Sequence, residues 1–416
     1  MSPEILTWVI AAVATAAVIL RPFSWPEAIW AISGALLLVA LRLLSPQDAL
    51  TGVAKGLDVY LFLTGMMLLS EIAREEGLFD WLAAHAARRA AGSARRLFLL
   101  VYGVGTIVTI FLSNDATAVV LTPAVAAAMR AAKVEKPLPY LLICAFIANA
   151  ASFVLPISNP ANLVIYGSHM PPLLEWLPRY GLASVASIVV TFLVLRWTQR
   201  HELSQAVATD VPVPILSRSG KAAAAGIAVT AIVLLGCSAF DTQLGLPTAI
   251  AGAATALVVL ALERKMPWTT LRGISWGVLP LVAGLFVLVE ALDRTGVIGM
   301  VATFLQQQAQ CSASETAWGM GIVIAFASNL MNNLPAGLIA GSAVQAAQVP
   351  DQVTRAILIG VDLGPNLSVT GSLATILWLG ALRREGHSVG AWTFLKLGFL
   401  VMPPALILSL AAALLW

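Results

Sequence analysis

The chain has 416 residues, of which 59% are apolar and only 11% are charged. A soluble domain of this size needs about a quarter of its residues charged to cover its surface, so the composition excludes a soluble globular protein and indicates one solvated by lipid. The net charge of +3 gives no reason to expect a nucleic-acid partner, because the basic residues lie in short segments between apolar runs.

Apolar runs long enough to cross a hydrocarbon layer of ~30 Å recur along the chain. The first run has no basic leading segment and no small-residue cleavage site, so we interpret it as a membrane span and not as a signal peptide. The fold class predicted is an all-α polytopic membrane protein with about ten transmembrane helices. The predicted spans lie near residues 5–20, 27–44, 58–74, 137–167, 177–196, 221–239, 246–262, 273–292, 351–380 and 391–416.

Two further apolar segments, 97–130 and 317–347, carry polar clusters at their centres. The first cluster is Ser113-Asn114-Asp115, and the second runs from Asn329 through Asn332-Asn333-Leu334-Pro335. Asn and Asp side chains compete for backbone hydrogen bonds and Pro removes a donor, so each cluster should break its helix. We predict two re-entrant helical hairpins whose tips are surrounded by protein or by a water-filled cavity.

A spacing pattern of Gly, Glu and Gly occurs twice, as Gly65-x5-Glu71-x5-Gly77 and as Gly284-x5-Glu290-x5-Gly296. Each copy precedes a short interfacial helix, and the first helix (Leu78–Ala91) is basic whereas the second (Val297–Gln310) is uncharged. We predict a first repeat over residues 1–200, a cytoplasmic linker over 201–220 and a second repeat over 221–416. Five spans in each repeat place the second copy upside down, an arrangement typical of secondary transporters.

The lysines and arginines indicate the orientation. With ten spans and two hairpins, all but five of them fall on one side of the membrane; the exceptions are Arg42, Lys55, Arg179, Arg294 and Arg355. The positive-inside rule makes the richer side cytoplasmic. Both termini are therefore expected outside the cytoplasm, in a bacterial inner membrane.

In each half a broken span follows the hairpin. Gly and Pro unwind these segments, so their polar groups are expected to face a shared cavity, which is the predicted substrate site. The interruptions read Asn149-Ala150-Ala151-Ser152 with Ser158-Asn159-Pro160-Ala161-Asn162, and Asp362-Leu363-Gly364-Pro365-Asn366 with Thr370-Gly371-Ser372. The candidate substrate-binding residues are Asn114, Asp115, Thr117, Ser158, Asn159, Asn162, Asn332, Asn333, Thr370, Gly371 and Ser372.

Ionisable side chains inside a membrane are costly and therefore point to function. Asp115 and Asp362 are the candidate proton-coupling residues, because burial favours the neutral form of a carboxyl group and either could take up a proton on one side and release it on the other. The alternative for Asp115 is a helix cap, and the asparagines could serve only to satisfy broken backbone. For Glu71 and Glu290, near span ends, an interfacial structural role is favoured.

Cys144, Cys237 and Cys311 lie far apart without a CxxC spacing. No thiolate metal site, disulfide framework or cofactor is expected. An intramembrane enzyme would need a catalytic set such as HExxH or GxSxG. HExxH does not occur, and the GxSxG spacing occurs at residues 273–277 and 386–390, but in a chain predicted to be all-α, without the strand-to-helix turn that a nucleophile elbow needs. The inverted repeat disfavours a passive pore and favours a carrier.

Three stretches carry a family resemblance: Phe111–Pro123, Asn329–Pro335 and Asp362–Trp378, the last followed by Leu382-Arg-Arg-Glu-Gly386. They resemble the ion-transporter superfamily, which includes dicarboxylate symporters and sodium/proton antiporters, and within it most closely the ArsB-type arsenite permeases. The resemblance implies secondary-active efflux of arsenite and antimonite, driven by the proton gradient or the membrane potential, in some cases with a soluble arsenite-stimulated ATPase.

The hairpin tips depart from the dicarboxylate symporters, which carry Ser-Asn-Thr where this chain has Ser113-Asn114-Asp115 and Met331-Asn332-Asn333. No Lys, Arg or His falls within the interrupted segments, whereas a dianionic substrate would need a fixed positive charge. Neutral arsenous acid suits a lining of Asn, Ser and Thr that both donate and accept hydrogen bonds. A sodium/proton antiporter or an organic-anion carrier of the same superfamily is the alternative.

Overall fold

The computed structural model of the chain describes residues 2–240 and 242–415, and their fold is all-α. The predicted class of an all-α, multi-pass membrane protein is thereby confirmed. The helices of the first half are α1 (Pro3–Leu20), α2 (Glu27–Ala40), α3 (Pro46–Lys55), α4 (Leu57–Glu75), α5 (Leu78–Arg89), α6 (Ala94–Phe111), α7 (Asn114–Ala116), α8 (Thr122–Ala131), α9 (Leu138–Ala150), α10 (Pro160–Tyr166) and α11 (Leu173–Thr198).

The second half repeats this order with one helix fewer, because α18 runs unbroken where the first half has α7, a π-helical turn and α8. Its helices are α12 (Arg218–Ala239), α13 (Gly245–Glu263), α14 (Pro267–Gly273), α15 (Val278–Arg294), α16 (Val297–Cys311), α17 (Ala313–Met331), α18 (Asn333–Ala347), α19 (Asp351–Leu363), α20 (Leu373–Arg384) and α21 (Ala391–Leu414). The inverted relation of the halves and their boundaries stay predictions.

Six single helices are long and apolar enough to cross a membrane: α1, α6, α11, α12, α13 and α21. Two bent pairs, α3 with α4 and α14 with α15, meet the same test together, with bends of 48° and 46°. The described residues thus offer six to eight spans by length and composition. α2 and α9 are apolar but shorter, and α9 with α10 and α19 with α20 are the predicted broken spans.

The repeated glycines serve two purposes. Gly77 and Gly296 follow α4 and α15 with φ angles of +70° and +82°, and a left-handed residue at that point ends a helix at least cost when it is Gly. Gly65 and Gly284 lie where helices of opposite halves meet: a Cβ on Gly65 would lie 2.2 Å from the Thr248 carbonyl oxygen. Helix α4 thus packs closely on α13, and α15 packs on α2.

Candidate functional site

The first hairpin tip is a short break between α6 and α7. The Ser113 hydroxyl accepts a hydrogen bond from the Ala116 amide at 3.3 Å and caps the new helix, and Asn114 Oδ1 accepts from the Asp115 amide at 2.9 Å. The chain then widens into a π-helical turn over Thr117–Leu121, a feature often found at functional sites. Since Ser113 provides the cap, the half-buried carboxyl group of Asp115 is left for another role.

The second tip joins the other broken span. Asn332 has a φ of +73°, and its Oδ1 accepts from the Leu334 amide at 3.3 Å. The Asn333 amide donates to the Gly371 carbonyl at 2.8 Å, and the Thr370 hydroxyl donates to the Asn329 carbonyl at 2.9 Å. The hairpin tip and the loop between α19 and α20 are therefore connected through backbone and side chain.

Three of the predicted binding residues form hydrogen bonds with other parts of the protein. Thr117 is fully buried and shares a hydrogen bond of 2.8 Å with the Thr109 hydroxyl inside the first hairpin. The Ser158 hydroxyl donates to the Ile110 carbonyl at 3.0 Å. Ser372 caps α20 by accepting from the Thr375 amide at 3.1 Å. The first two positions tie the first hairpin together and to the loop before α10.

Two side-chain bridges join the broken helices of opposite halves. Asn159 Nδ2 donates to Asp362 Oδ1 at 2.8 Å, and Asn149 Nδ2 donates to Asn366 Oδ1 at 3.0 Å. All four side chains are almost completely buried. Asn366 Nδ2 in turn donates to the Phe146 carbonyl at 3.0 Å. The broken segments meet each other here in the core of the molecule.

This core contains acceptor oxygens that lack donors. Within the described residues, Asp362 Oδ2, Asn149 Oδ1 and Asn162 Oδ1 are buried without a hydrogen-bond partner. The Asn162 amide group donates to the Ser152 carbonyl at 3.0 Å, and the Ser152 side chain lies beside the Asp362 carboxyl group. An unpaired buried acceptor costs about 1–3 kcal/mol. A proton on Asp362 would convert one of these acceptors into a donor.

A cavity of about 440 Å³ reaches the first hairpin tip. Its wall includes Ser113 and Asp115 from the tip and Pro160, the residue after Asn159. The same cavity is lined by Glu71 and by the exposed Arg384. The tip of the first hairpin is therefore accessible from one surface, whereas neither Asn159 nor Asp362 lines this cavity.

Both repeated glutamates are paired with cations. Glu71 accepts two hydrogen bonds from Arg74, at 2.6 and 2.8 Å. Glu290 accepts from Lys55 at 2.6 Å and from Arg294 at 3.0 Å. These pairs neutralise the carboxylates at the span ends, as expected for structural residues.

A second cavity of about 400 Å³ lies beside Lys55 and Glu290. From the second hairpin it is lined by Leu338, Ser342 and Gln345, which follow the tip by one turn or more. The first hairpin thus meets a cavity at its tip, whereas the second meets one along its returning helix.

The cysteines are separated in the structure. Cys144 is buried in α9, Cys237 is half-buried in α12 and Cys311 is exposed at the end of α16. Among the described residues, no group of three His, Cys, Asp or Glu side chains is arranged to hold a metal ion.

Four polar residues of the core were not among the candidate binding residues: Asn149, Ser152, Asn329 and Asn366. Each occurs in a polar cluster that the sequence shows inside an apolar segment. The signal that could have identified them was the presence of amide and hydroxyl side chains in segments predicted to lie within the membrane. No spacing rule predicts that Asn149 contacts Asn366, because the two residues lie in different halves of the chain.

Apolar helices around a buried polar core, with a cavity at the first hairpin tip, fit a multi-pass membrane transporter, and the comparisons with known proteins show that this is the class of the chain. The chain belongs to the CitMHS family, described as citrate transporter, which it matches over residues 7–360.

Among individual proteins, it is similar to the arsenical pump membrane proteins of Yersinia enterocolitica and Escherichia coli (strain K12). Each is 27% identical, and each alignment covers 83% of both chains. The predicted resemblance to ArsB-type permeases is thereby confirmed. It is also 25% identical to a 46 kDa membrane protein of Mycobacterium leprae, over 93% of this chain and 92% of that protein.

Two solved structures share the fold. The YdaH transporter of Alcanivorax borkumensis has a TM-score of 0.56 at 15% identity, covering 88% of this chain and 87% of that one. MtrF of Neisseria gonorrhoeae, whose description places it in a class of antimetabolite efflux pumps, has a TM-score of 0.58 at 14% identity, covering 100% and 95%. At such identities the likeness concerns the fold alone.

Proposed function

We propose that this protein exports arsenite and antimonite across the bacterial inner membrane by alternating access, coupled to proton entry. The cavity that ends at Ser113 and Asp115 carries this proposal, because it offers hydroxyl and carboxyl groups at a helix break while its Glu71 carboxylate is already paired with Arg74. Such a surface suits a small neutral molecule bearing hydroxyl groups. The relatives named as arsenical pumps support the choice of substrate.

In this proposal Asp115 meets the substrate and Asp362 carries the coupled proton. Asp115 lines the cavity, so its protonation can follow the solution on that side. Asp362 is sealed at the joint between the halves with one oxygen unpaired, so a proton gained or lost there changes the contact between the broken helices. A change at such a joint can favour one arrangement of the two halves over the other.

The test is arsenite flux in everted vesicles containing the full chain, with an imposed pH gradient. We expect saturable, gradient-dependent uptake, and we expect Asp115→Asn to abolish it without lowering the amount of protein in the membrane. Asp210→Asn, a change at an exposed carboxylate of the linker, is the matched control and should leave uptake unchanged. Sodium uptake without any arsenite transport would overturn the proposal, and non-saturable flux would indicate a pore.

An organic-anion carrier is the second candidate, and one observation favours it. Arg384 lines the same cavity, is exposed, and forms no ion pair within the described residues, so it could attract a carboxylate. The family description as citrate transporter agrees with this reading. If this candidate is correct, the vesicles take up citrate and Arg384→Gln abolishes that uptake. Absence of citrate uptake, with arsenite uptake intact, eliminates this candidate.

The proposal includes a soluble arsenite-stimulated ATPase as an additional cytoplasmic partner. Its addition with ATP to everted vesicles should raise arsenite uptake beyond the level that the pH gradient supports. Equal uptake with and without the ATPase would show that the carrier works alone.

A further inference from the structure

A third cavity lies away from the broken helices, between the start of α6 and the end of α11. It has a volume of about 250 Å³. Both helices are long and apolar enough to span a membrane, so a pocket at their adjoining ends lies at the level where lipid headgroups meet water. We name it the arginine pocket; its lining residues are Arg95, Leu193, Arg196, Trp197, Arg200 and Leu203.

Its charge is positive and uncompensated. Arg95, Arg196 and Arg200 are exposed, and none of them forms an ion pair with a carboxylate in the described part of the chain. The acidic residue nearest in sequence, Glu202, is already bound to Lys136 at 2.7 Å, and this hydrogen bond raises the pKa of Lys136. Arg200 Nε lies at hydrogen-bonding distance, 3.3 Å, from the His201 ring. Its two terminal NH₂ groups and the guanidinium groups of Arg95 and Arg196 are available to an external anion, and such donors match phosphate oxygens.

Two of these guanidinium groups are held by aromatic rings. Arg196 lies 5.9 Å from the centre of the Phe192 ring, and Arg200 lies 5.3 Å from the centre of the Trp197 ring. Cation–π contacts of this kind stabilise an arginine side chain without neutralising its charge. The pocket is thus partly organised before any ligand arrives.

An apolar strip leads from the pocket along α11. Val189, Leu193 and Trp197 follow one another at intervals of four residues, which places them on one face of the helix. Their exposed fractions are 47%, 54% and 58%. A ligand that fits both features has an anionic phosphate head and a long apolar chain that continues into the bilayer.

We propose that the arginine pocket binds the headgroup of an anionic phospholipid, with an acyl chain lying along Val189, Leu193 and Trp197. Basic pockets between transmembrane helices are suited to such headgroups. A free phosphate ion would use the arginines alone and would leave the apolar strip without a role. This site is separate from the transport cavity and does not depend on the transported substrate.

The test compares phosphatidylglycerol with phosphatidylcholine on the purified full chain by native mass spectrometry, from detergent containing equal amounts of both lipids. We expect phosphatidylglycerol to be retained in preference on the unmodified protein. For the variant Arg95→Gln/Arg196→Gln/Arg200→Gln, the retained phosphatidylglycerol should fall by roughly tenfold or more, because each basic side chain near a headgroup contributes to binding. The matched control is Arg218→Gln/Arg264→Gln/Arg272→Gln, three exposed arginines outside the pocket.

Three results would overturn the proposal. Equal retention of the two lipids by the unmodified protein would leave only apolar contact, and this comparison needs no variant to fold. An equal loss in the control variant would indicate general surface charge. Displacement of the lipid by millimolar inorganic phosphate in the same detergent would show a site for a free anion. A further variant tests the acyl chain: Val189→Asp should weaken phosphatidylglycerol retention, and unchanged retention would overturn the placement of the chain along α11.

Discussion

The Asp362 carboxyl group contacts Asn159 and has the Ser152 side chain beside it. Its Oδ1 accepts from Asn159 and its Oδ2 has no donor among the described residues. Replacement by Asn keeps an oxygen for Asn159 and adds an NH₂ group that can donate to a neighbouring acceptor, but it removes the exchangeable proton. Replacing Asp362 by Asn therefore distinguishes a role in folding from a role in proton coupling.

We predict that Asp362→Asn reaches the membrane in normal amounts and loses arsenite uptake driven by a pH gradient. The physical reason is that an amide cannot gain or lose a proton in the working range of pH. Uptake in everted vesicles is the measurement, with Asp210→Asn as the control. Uptake at the unmodified level would assign Asp362 a purely structural role.

Asp362→Ala should differ from Asp362→Asn in stability. Alanine leaves the Asn159 amide group without its acceptor in a fully buried position, which costs about 1–3 kcal/mol. The melting temperature of the purified protein should therefore fall for Asp362→Ala and remain near that of the unmodified protein for Asp362→Asn. Equal melting temperatures for all three would mean that water or another group replaces the lost contact.

Asp115 shows what a sequence leaves open at a single residue. A carboxylate in the first turn of a helix is a reasonable cap, and the polar cluster at residues 113–115 does not distinguish a cap from a functional group. The structure gives the capping hydrogen bond to Ser113 and places Asp115 in the cavity wall. The choice depends on side-chain direction at a helix break, which has no regular periodicity in the sequence.

At the scale of elements, the repeated Gly-Glu-Gly pattern predicted where helices end, but it did not predict which helices contact each other. Gly77 and Gly296 end α4 and α15 in the left-handed conformation, which a Gly after an apolar run indicates directly. The role of Gly65 and Gly284 could not be predicted, because their neighbours, α13 and α2, belong to the other half of the chain.

We predict that Gly65→Ala and Gly284→Ala each destabilise the protein by about 1–3 kcal/mol, because the added methyl group meets backbone atoms that must move. The distances to those atoms would be 2.2 Å and 2.7 Å. Thermal unfolding in detergent measures the effect. A matched change at Gly236, in α12 with no atom within 4 Å of the new Cβ, should be neutral or slightly stabilising. Equal melting temperatures at all three positions would contradict close helix packing at these crossings.

The broken spans were predicted from Gly, Pro and Asn, and the structure contains breaks between α9 and α10 and between α19 and α20. The sequence locates such breaks because Pro lacks a donor and Asn competes for backbone groups. The sequence does not indicate that the two breaks lie against each other. The structure shows this contact through the Asn159–Asp362 and Asn149–Asn366 hydrogen bonds.

For the whole molecule, the two cavities offer positions at which the predicted orientation can be tested by labelling. The cavity at Asp115 is lined by Arg384, on the predicted cytoplasmic side, and the second cavity is lined by Lys55, on the opposite side. Ser275 and Ser342 line these two cavities, one each. A cysteine at position 275 should therefore be accessible from the cytoplasmic face, and a cysteine at position 342 from the opposite face.

We predict that, in a background lacking the three native cysteines, Ser275→Cys reacts with a membrane-impermeant thiol reagent only in everted vesicles and Ser342→Cys only in intact cells. The reason is that, if the halves are inverted, the cavity beside each half opens toward an opposite side of the membrane. The exposed Cys311, restored alone, reports on its own side as a reference. Labelling of both positions from the same side would contradict the inverted arrangement.

Four properties could be predicted without the structure: the membrane environment, the all-α class, the helix ends at repeated glycines and the positions of the helix breaks. These properties depend on composition and on residues close together in the chain. Only the tertiary contacts showed which breaks meet, that Asp115 lines a cavity, and which arginines form no ion pair within the described residues. These depend on contacts between residues as far apart as Asn159 and Asp362, and no local pattern specifies the packing that brings such residues together.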